Sequence, residues 1–397
     1  MSNDRWLLPE GIEELLPNEA RCIEKLRRNL LDLFYTWGYD LVIPPFIEYL
    51  ESLLTGVGND LELQTFRLVD QRNGRMLGIR ADMTPQVTRI DSHQLNREGP
   101  TRLCYLGTVL RTQADDFTNA RSIMQLGAEL YGHSGIESDV EILSLMLAAI
   151  KTAGVDDIFV DLGHVGIFHG LARQANLDNE QESVLFDLLQ RKAAVELKEF
   201  LSSLAIDKQL NSMISELIWL NGDFEVIEQA RKVLKSASVD VHQAIDDIET
   251  LATKISMLLP DTRLHFDMAE VRGIRYHTGI VFAVYTPGEG QSIAQGGRYD
   301  GIGKVFGRAR PSTGFSADLR TLMRLSEQVV EKPSGILAPN LDDKSLHSKV
   351  TELRGSGERV IFELPGLEYD APALMCDRAL VKEHGEWVVN NVSEKNG

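Results

Sequence analysis

The sequence predicts an α+β fold in which a strand-rich core is covered by helices, with a helical insertion and a small C-terminal α/β unit. Three observations carry this. Strand-like segments cluster on either side of residues 178–258 and do not alternate one by one with helices, as a doubly wound sheet would require. From about Asp178 to Met257 leucine, glutamate and lysine dominate, the periodicity is helical, and Gly222 is the sole glycine. A Pro333-Ser334-Gly335 junction then precedes a short mixed tail. The expected organisation is a core over 1–330, with its insertion at about 178–258, and a small α/β domain over 331–397.

Taken in order, Pro17 to Trp37 reads as an amphipathic helix, because Cys22, Leu26, Leu30, Leu33 and Trp37 recur at three- and four-residue steps and Gly38 follows as a stop. DLVIPPFIEYLE is strand-like, but Pro44 and Pro45 lack ladder donors and belong at a strand end or a sheet edge. FRLVD and RMLGI are predicted to pair around Asn73-Gly74. Thr101–Arg111 and Ser122–Tyr131 are longer strands around the polar loop TQADDFTNAR. ESDVEILSLMLAAIKTAG is a helix, acidic at its start and ended by glycine. Strand patterns resume at RLHFDMAEV and continue through GIVFAVYT, QSIAQGG and STGFSA. In the tail, ILAPN, a helix over about Leu346–Arg354, ERVIFEL and WVV supply the α/β unit.

Composition narrows the function. At 397 residues, 43% hydrophobic and 25% charged, the chain is an ordinary globular protein. No apolar run approaches the roughly 20 residues a membrane span needs, and MSNDRWLLPEGIEELLP lacks the form of a secretory signal. Cys22, Cys104 and Cys376 are scattered and odd in number, which predicts free thiols and a cytoplasmic protein. Without CxxC or HExxH, neither a metal nor any cofactor is expected. The formal net charge of −18 disfavours nucleic acid as a partner, since phosphate binding draws its affinity from clustered cations. GIGKVFG matches neither a dinucleotide fingerprint nor a Walker loop and reads as a turn.

The polar side chains converge on another chemistry. IRADMTPQ places Arg80, Asp82 and Thr84 at alternate positions, on one face if the stretch is extended. RSIMQLGAELYG does the same for Gln125 and Glu129, and VRGIRYHTGIVF adds Arg272, Tyr276 and His277. An amino acid needs acceptors for its ammonium, which Asp82, Thr84, Gln125 and Glu129 could supply, and a cation for its carboxylate, such as Arg272. Each residue alone is more often an ordinary satisfied polar group; the grouping is what points to a site.

The order PPFIEYLE, VLRTQ…RSIMQLGAELYG, VRGIRYHTGIVF, AQGGRYDGIGKVFG and RPSTGFSADL resembles the catalytic core of class II histidyl-tRNA synthetases, from about Leu8 to Leu325 outside the insertion. The resemblance implies a class II antiparallel sheet flanked by helices and a self-dimer built on the double-proline segment. It also implies histidine-contacting positions at Asp82, Thr84, Arg111, Gln125, Glu129, Arg272, Tyr276 and His277. The nucleotide positions depart from the pattern. Gln113 stands where the synthetases carry an acid, and Thr321 replaces the arginine that clamps the ATP phosphates, with Arg320 one step early. Asp115 and Asp116 occupy a loop that is basic in the synthetases, Arg275 replaces an acid and His277 a tyrosine. A synthetase core with a degenerate ATP site and a short acidic tail resembles the regulatory subunits of ATP phosphoribosyltransferase. That resemblance implies no catalytic residue, a short-form ATP phosphoribosyltransferase catalytic subunit as partner, and histidine as a possible effector. A working histidine–tRNA ligase, a histidine- or tRNA-sensing module, and a scaffold with an unused pocket are the alternatives.

Overall fold

The computed structural model describes residues 6–55, 59–114, 120–270, 277–326, 334–366, 371 and 374–392. The chain divides into two compact units, Met1–Gln328 and Val329–Gly397. The strands of the first are β1 (Asp40–Leu41), β2 (Ile47–Tyr49), β3 (Phe66–Val69), β4 (Met76–Ile79), β5 (Thr101–Leu110), β6 (Ser122–Tyr131), β7 (Phe159–His164), β8 (Asn221–Gly222), β9 (Arg263–Asp267), β10 (Ile280–Tyr285), β11 (Ala294–Arg298) and β12 (Ser312–Asp318). Nine form one sheet in the order β1-β5-β6-β12-β11-β10-β7-β9-β8. Its centre, β5 through β7, is antiparallel at every step, while β1 adds parallel to β5 and β9 parallel to β7. This is the antiparallel, helix-flanked α+β core that the sequence predicts.

Strand alternation gives the sheet two unlike faces. Leu126, Ala128 and Leu130 of β6, with Phe315 and Ala317 of β12, point into the main hydrophobic core. Covering them are the helices Pro17–Thr36, Ile136–Thr152 and Val239–Leu258. In the first of these Ile23, Leu26, Leu30 and Phe34 form the buried stripe, and Phe34 meets Phe315 edge-on at 6.2 Å. Gly38 follows with φ +80°, a left-handed stop that favours glycine. The opposite face of the same strands carries Gln125, Gly127 and Glu129, then Gly314, Ser316 and Asp318, then Gln295 and Gly297.

The double proline falls between β1, at the edge of the large sheet, and β2, which joins β4 and β3 in a separate three-stranded sheet. The β3–β4 pair turns at Asn73-Gly74, where Gly74 (φ +74°) donates its N–H to the Asp70 carbonyl. IRADMTPQ does not continue β4 as an extended run. β4 ends at Ile79, and a helix over Thr84–Arg89 begins with proline in its first turn, where no amide hydrogen is needed. Residues 178–258 fold mainly as helices, among them Asn179–Gln190, which Asp178 and Gln181 close with a reciprocal capping box. The exception is β8. Gly222 has φ +148°, outside helical space, and Asn221–Gly222 pairs with β9 at the sheet edge.

The second unit contains β13 (Ile336–Ala338), β14 (Val360–Phe362), β15 (Arg378–Glu383) and β16 (Glu386–Asn391) in the order β14-β13-β15-β16. The helix Lys344–Gly355, capped by Asp343, packs Leu346 and Val350 against Ile336, Val360, Leu380 and Trp387. No helix among the described residues is long and apolar enough to cross a membrane.

Candidate functional site

The site lies on the face of the large sheet opposite the main core, buried beneath a small second cluster, and glycine makes room for it. Gly314 of β12 pairs with Glu129 of β6 on one side and Gly297 of β11 on the other. A Cβ on Gly314 would overlap the Glu129 carboxylate, and one on Gly127 would fall 2.5 Å from the Phe315 carbonyl oxygen. The row of missing side chains forms a trough floored by glycine, into which the Glu129 carboxylate, the Tyr105 hydroxyl and the His277 ring reach. Gly314→Ala is therefore expected to displace that carboxylate and lower affinity for any ligand it holds by at least tenfold, with little change in the circular dichroism spectrum. Titration calorimetry reads the affinity, and unchanged binding would place the ligand off this trough.

Glu129 is 1% exposed. Its Oε1 accepts a hydrogen bond from the Tyr105 hydroxyl at 3.0 Å, and its Oε2 accepts one from Tyr299. Burial dominates over these two donors and pushes its pKa up to about 8. Thr84 Oγ1 lies 3.1 Å from the same Tyr105 hydroxyl, linking the helix start to the carboxylate. Asp82 Oδ1 accepts from Gln125 Nε2 at 2.7 Å and from the Thr84 amide at 3.1 Å, while Gln125 Oε1 accepts from the Met83 amide at 2.9 Å. Asp82, Thr84, Gln125 and Glu129 thus meet in one network. Asp82 and Thr84 reach it from a helix start, where the Asp82 carboxylate satisfies the first free amide. Two carboxylates with fixed hydroxyl and amide neighbours suit recognition of a small cationic group; the network offers no activated nucleophile.

The remaining predicted positions divide. Arg111 points its Nε toward the Ala81 carbonyl at 3.5 Å, beside Asp82. His277 lies against Gly297, where a Cβ would be 2.8 Å from its Cδ2, and so borders the trough. Arg272 and Tyr276 lie outside the described residues, as do Asp115, Asp116 and Arg275. Gln113 is exposed. Thr321 sits in the first turn of the helix Leu319–Leu325, its hydroxyl donating to the Asp318 cap at 2.9 Å. Arg320 turns the other way, toward the Glu13 carbonyl at 3.4 Å and its carboxylate at 3.8 Å. Among the described residues, no three His, Cys, Asp or Glu side chains converge as a metal site.

The structure adds Tyr105 and Tyr299 to the residues the sequence points to. Tyr105 shares its face with Gln125 and Glu129 once the register Tyr105↔Gly127 is known. Tyr299 lies two residues after the Gly296-Gly297 pair, past Arg298, and belongs with Tyr105 and Tyr131 in a small second core. The signal for the first was strand alternation combined with register; for the second it was the segment GGRYDG itself.

The family described as Histidyl-tRNA synthetase matches residues 11–322, and the ATP phosphoribosyltransferase subunit HisZ C-terminal domain matches residues 333–390. A protein of Thioalkalivibrio sulfidiphilus (strain HL-EbGR7) named ATP phosphoribosyltransferase regulatory subunit is 55% identical over 98% of this chain and 99% of its own. Its counterpart by name in Methylococcus capsulatus is 54% identical over 100% and 98%. A crystal structure described as an ATP phosphoribosyltransferase regulatory subunit/histidyl-tRNA synthetase from Bacillus halodurans aligns with a TM-score of 0.83 at 27% identity, covering 94% of this chain and 97% of that one.

Proposed function

The chain belongs to the family of ATP phosphoribosyltransferase regulatory subunits, and from that premise we propose that it performs no catalysis itself but activates a short-form catalytic subunit in the first step of histidine biosynthesis. In this reading histidine is the effector, and the trough over Gly314 is where it binds. Asp82 and Glu129 take its cationic groups, with Thr84 and Gln125 positioning them. Arg111 and His277 border the ligand, and Arg272 and Tyr276 complete its contacts. The observation that carries the reading is the combination of near full-length similarity with the buried network of Asp82, Thr84, Gln125 and Glu129.

The nucleotide side supports it. Thr321 is engaged in a helix cap and Arg320 is turned to Glu13, so neither offers a cation to a triphosphate, and Gln113 brings no charge. The same chain dimerises through its core, a proposal supported by exposed apolar residues from β1 to β2, including Leu41, Ile43 (80% exposed) and Ile47. Nucleic acid is not its partner, consistent with a formal charge of −18. It works in the cytoplasm.

Activation means that the chain binds one conformation of the catalytic subunit more tightly than another, and the coupling is reciprocal: histidine that weakens the active pairing is itself bound less well by it. The test is ATP phosphoribosyltransferase turnover by a short-form catalytic subunit with and without this chain, then with histidine. A large increase that histidine reverses is expected. No increase, together with histidine-dependent ATP–pyrophosphate exchange by the chain alone, would instead make it a ligase. Asp82→Ala removes the acceptor that orders Gln125 and Thr84, and is expected to weaken histidine binding about 10- to 100-fold, the size of a lost charge-assisted hydrogen bond. Calorimetry that finds the wild-type affinity in this variant would move the effector site elsewhere.

A further inference from the structure

On the helix-covered side of the large sheet, a groove of about 790 Å³ runs along the helix Ile136–Thr152. Its floor is the outward face of that helix, with the partly exposed Val140, Ser144 and Ala148 at four-residue steps and the buried core residue Leu147 beneath them. The inward residues Ile142, Leu143, Met146 and Ile150 are fully engaged in the core. Trp37 forms one wall and the segment Leu258–Pro260 the other, with Leu258 61% exposed. None of these residues belongs to the proposed histidine site, which lies on the opposite face of the sheet.

Charge gives the groove a direction. At its far end the helices Ile136–Thr152 and Val239–Leu258 both terminate, bringing two partially negative C-termini together. Asp156 and Asp261 line that end and are exposed. The other lining charges are largely matched: Asp157 pairs with Arg263, Glu141 with Arg102, and Glu137 with Lys254 at 3.2 Å. Lys151 is the one lining cation outside these pairs, against two acids and two helix ends. The result is an apolar channel with a negative terminus.

We propose that this groove docks an amphipathic helix of the catalytic subunit, its apolar stripe on the Ile136–Thr152 face and its Lys- or Arg-bearing N-terminal end over Asp156 and Asp261. Four helical turns separate Glu137 from Lys151, about 20 Å, which matches a partner helix of about 14 residues anchored at i, i+3 or i+4, and i+7. The partner helix's positive N-terminus meets the negative end of the groove, so polarity as well as composition is fixed. A second copy of this chain, with a formal net charge of −18, is the poorer occupant. The identity of the partner rests on the regulatory-subunit reading; the chemistry of the occupant rests on the groove.

The experiment measures affinity of the full chain for a short-form catalytic subunit by sedimentation, for wild type, Ala148→Trp and Asp156→Lys/Asp261→Lys. All three substituted positions are at least partly exposed, and histidine calorimetry on each variant alone checks that the fold is kept. Both variants are expected to weaken the complex at least tenfold with histidine binding unchanged. The charge-reversed variant is also expected to lose the decline of affinity with salt that wild type shows. Wild-type affinity in both variants overturns the docking proposal and leaves the regulatory reading standing. A change in self-association without the catalytic subunit assigns the groove to a second copy and also overturns it. If wild type forms no complex, the regulatory reading fails, and this assignment of the partner fails with it.

Discussion

Glu129→Gln is expected to remove a loss of stability that the wild-type protein suffers as pH rises from about 4.5 to 8. The folded-state pKa of Glu129 is raised from 4.5 to about 8, with burial as the leading cause. Between those values the folded protein holds a proton that the unfolded chain has released. Its contribution to stability is therefore complete below 4.5 and lost as pH rises through 8. By pH 7 the loss amounts to about 3 kcal/mol, at 1.36 kcal/mol per unit. Glutamine keeps the shape and still faces the Tyr105 and Tyr299 hydroxyls, but it does not titrate. Urea midpoints for the two proteins should converge near pH 5 and separate toward pH 8, with the variant the more stable. Parallel profiles would mean that Glu129 is ionised in the folded protein throughout. The same proton gives a ligand signature. A cation seated on Glu129 near neutral pH expels it, so the enthalpy of histidine binding should vary with the ionisation heat of the buffer in wild type, and should not in Glu129→Gln.

Arg310→Ala should be among the most destabilising single changes in the first unit. Arg310 Nη1 lies 2.9 Å and 3.1 Å from the two carboxylate oxygens of Asp91, which is 0% exposed, and the guanidinium also donates to the Gly99 carbonyl. Gly132, at φ +88°, packs against the guanidinium where no side chain fits. Deleting the cation leaves a buried carboxylate with no compensating charge, which typically costs about 3–5 kcal/mol. Asp91→Leu/Arg310→Met removes both charges and should recover most of that loss, because desolvating the pair offsets much of its attraction. If the double variant is no more stable than Arg310→Ala, packing and not charge is what Arg310 supplies.

What could be read from the chain follows the range of the interaction concerned. The helix Pro17–Thr36 and the β3–β4 hairpin are specified by local spacing and by Asn73-Gly74, and both were legible. So were β5 and β6 and the shared face of Gln125 and Glu129, since alternation alone decides it. Alternation predicts an extended run through Thr84, where the structure starts a helix. Alternating polar residues resemble a strand, and the signal that overrides them is a single proline in the first turn together with the Asp82 carboxylate. β8 was hidden in a helical composition, where one glycine conformation sets the break. β15 was missed because Arg378 and Lys382 interrupt its apolar pattern; its partner is supplied by a tight turn at His384-Gly385, where both residues have positive φ. Tyr105 and Tyr299 enter the site through cross-strand register, a long-range property that no window of sequence contains.

The strand order carries a consequence for how the chain is made. β12 lies between β6 and β11, and its Ala317 pairs with Leu126 across the whole intervening sequence. During synthesis, β5 and β6 emerge and pair early, yet the edge of β6 has no partner until the ribosome has passed the insertion and delivered β12. At about 5–20 residues per second, that edge waits on the order of ten seconds or more. The helical insertion, whose contacts are mostly local, can condense in the interval. The trough, whose floor includes Gly314 and into which Glu129 reaches, is among the last features to exist, so nascent chains stopped before β12 should be captured by chaperones that bind unpaired strands.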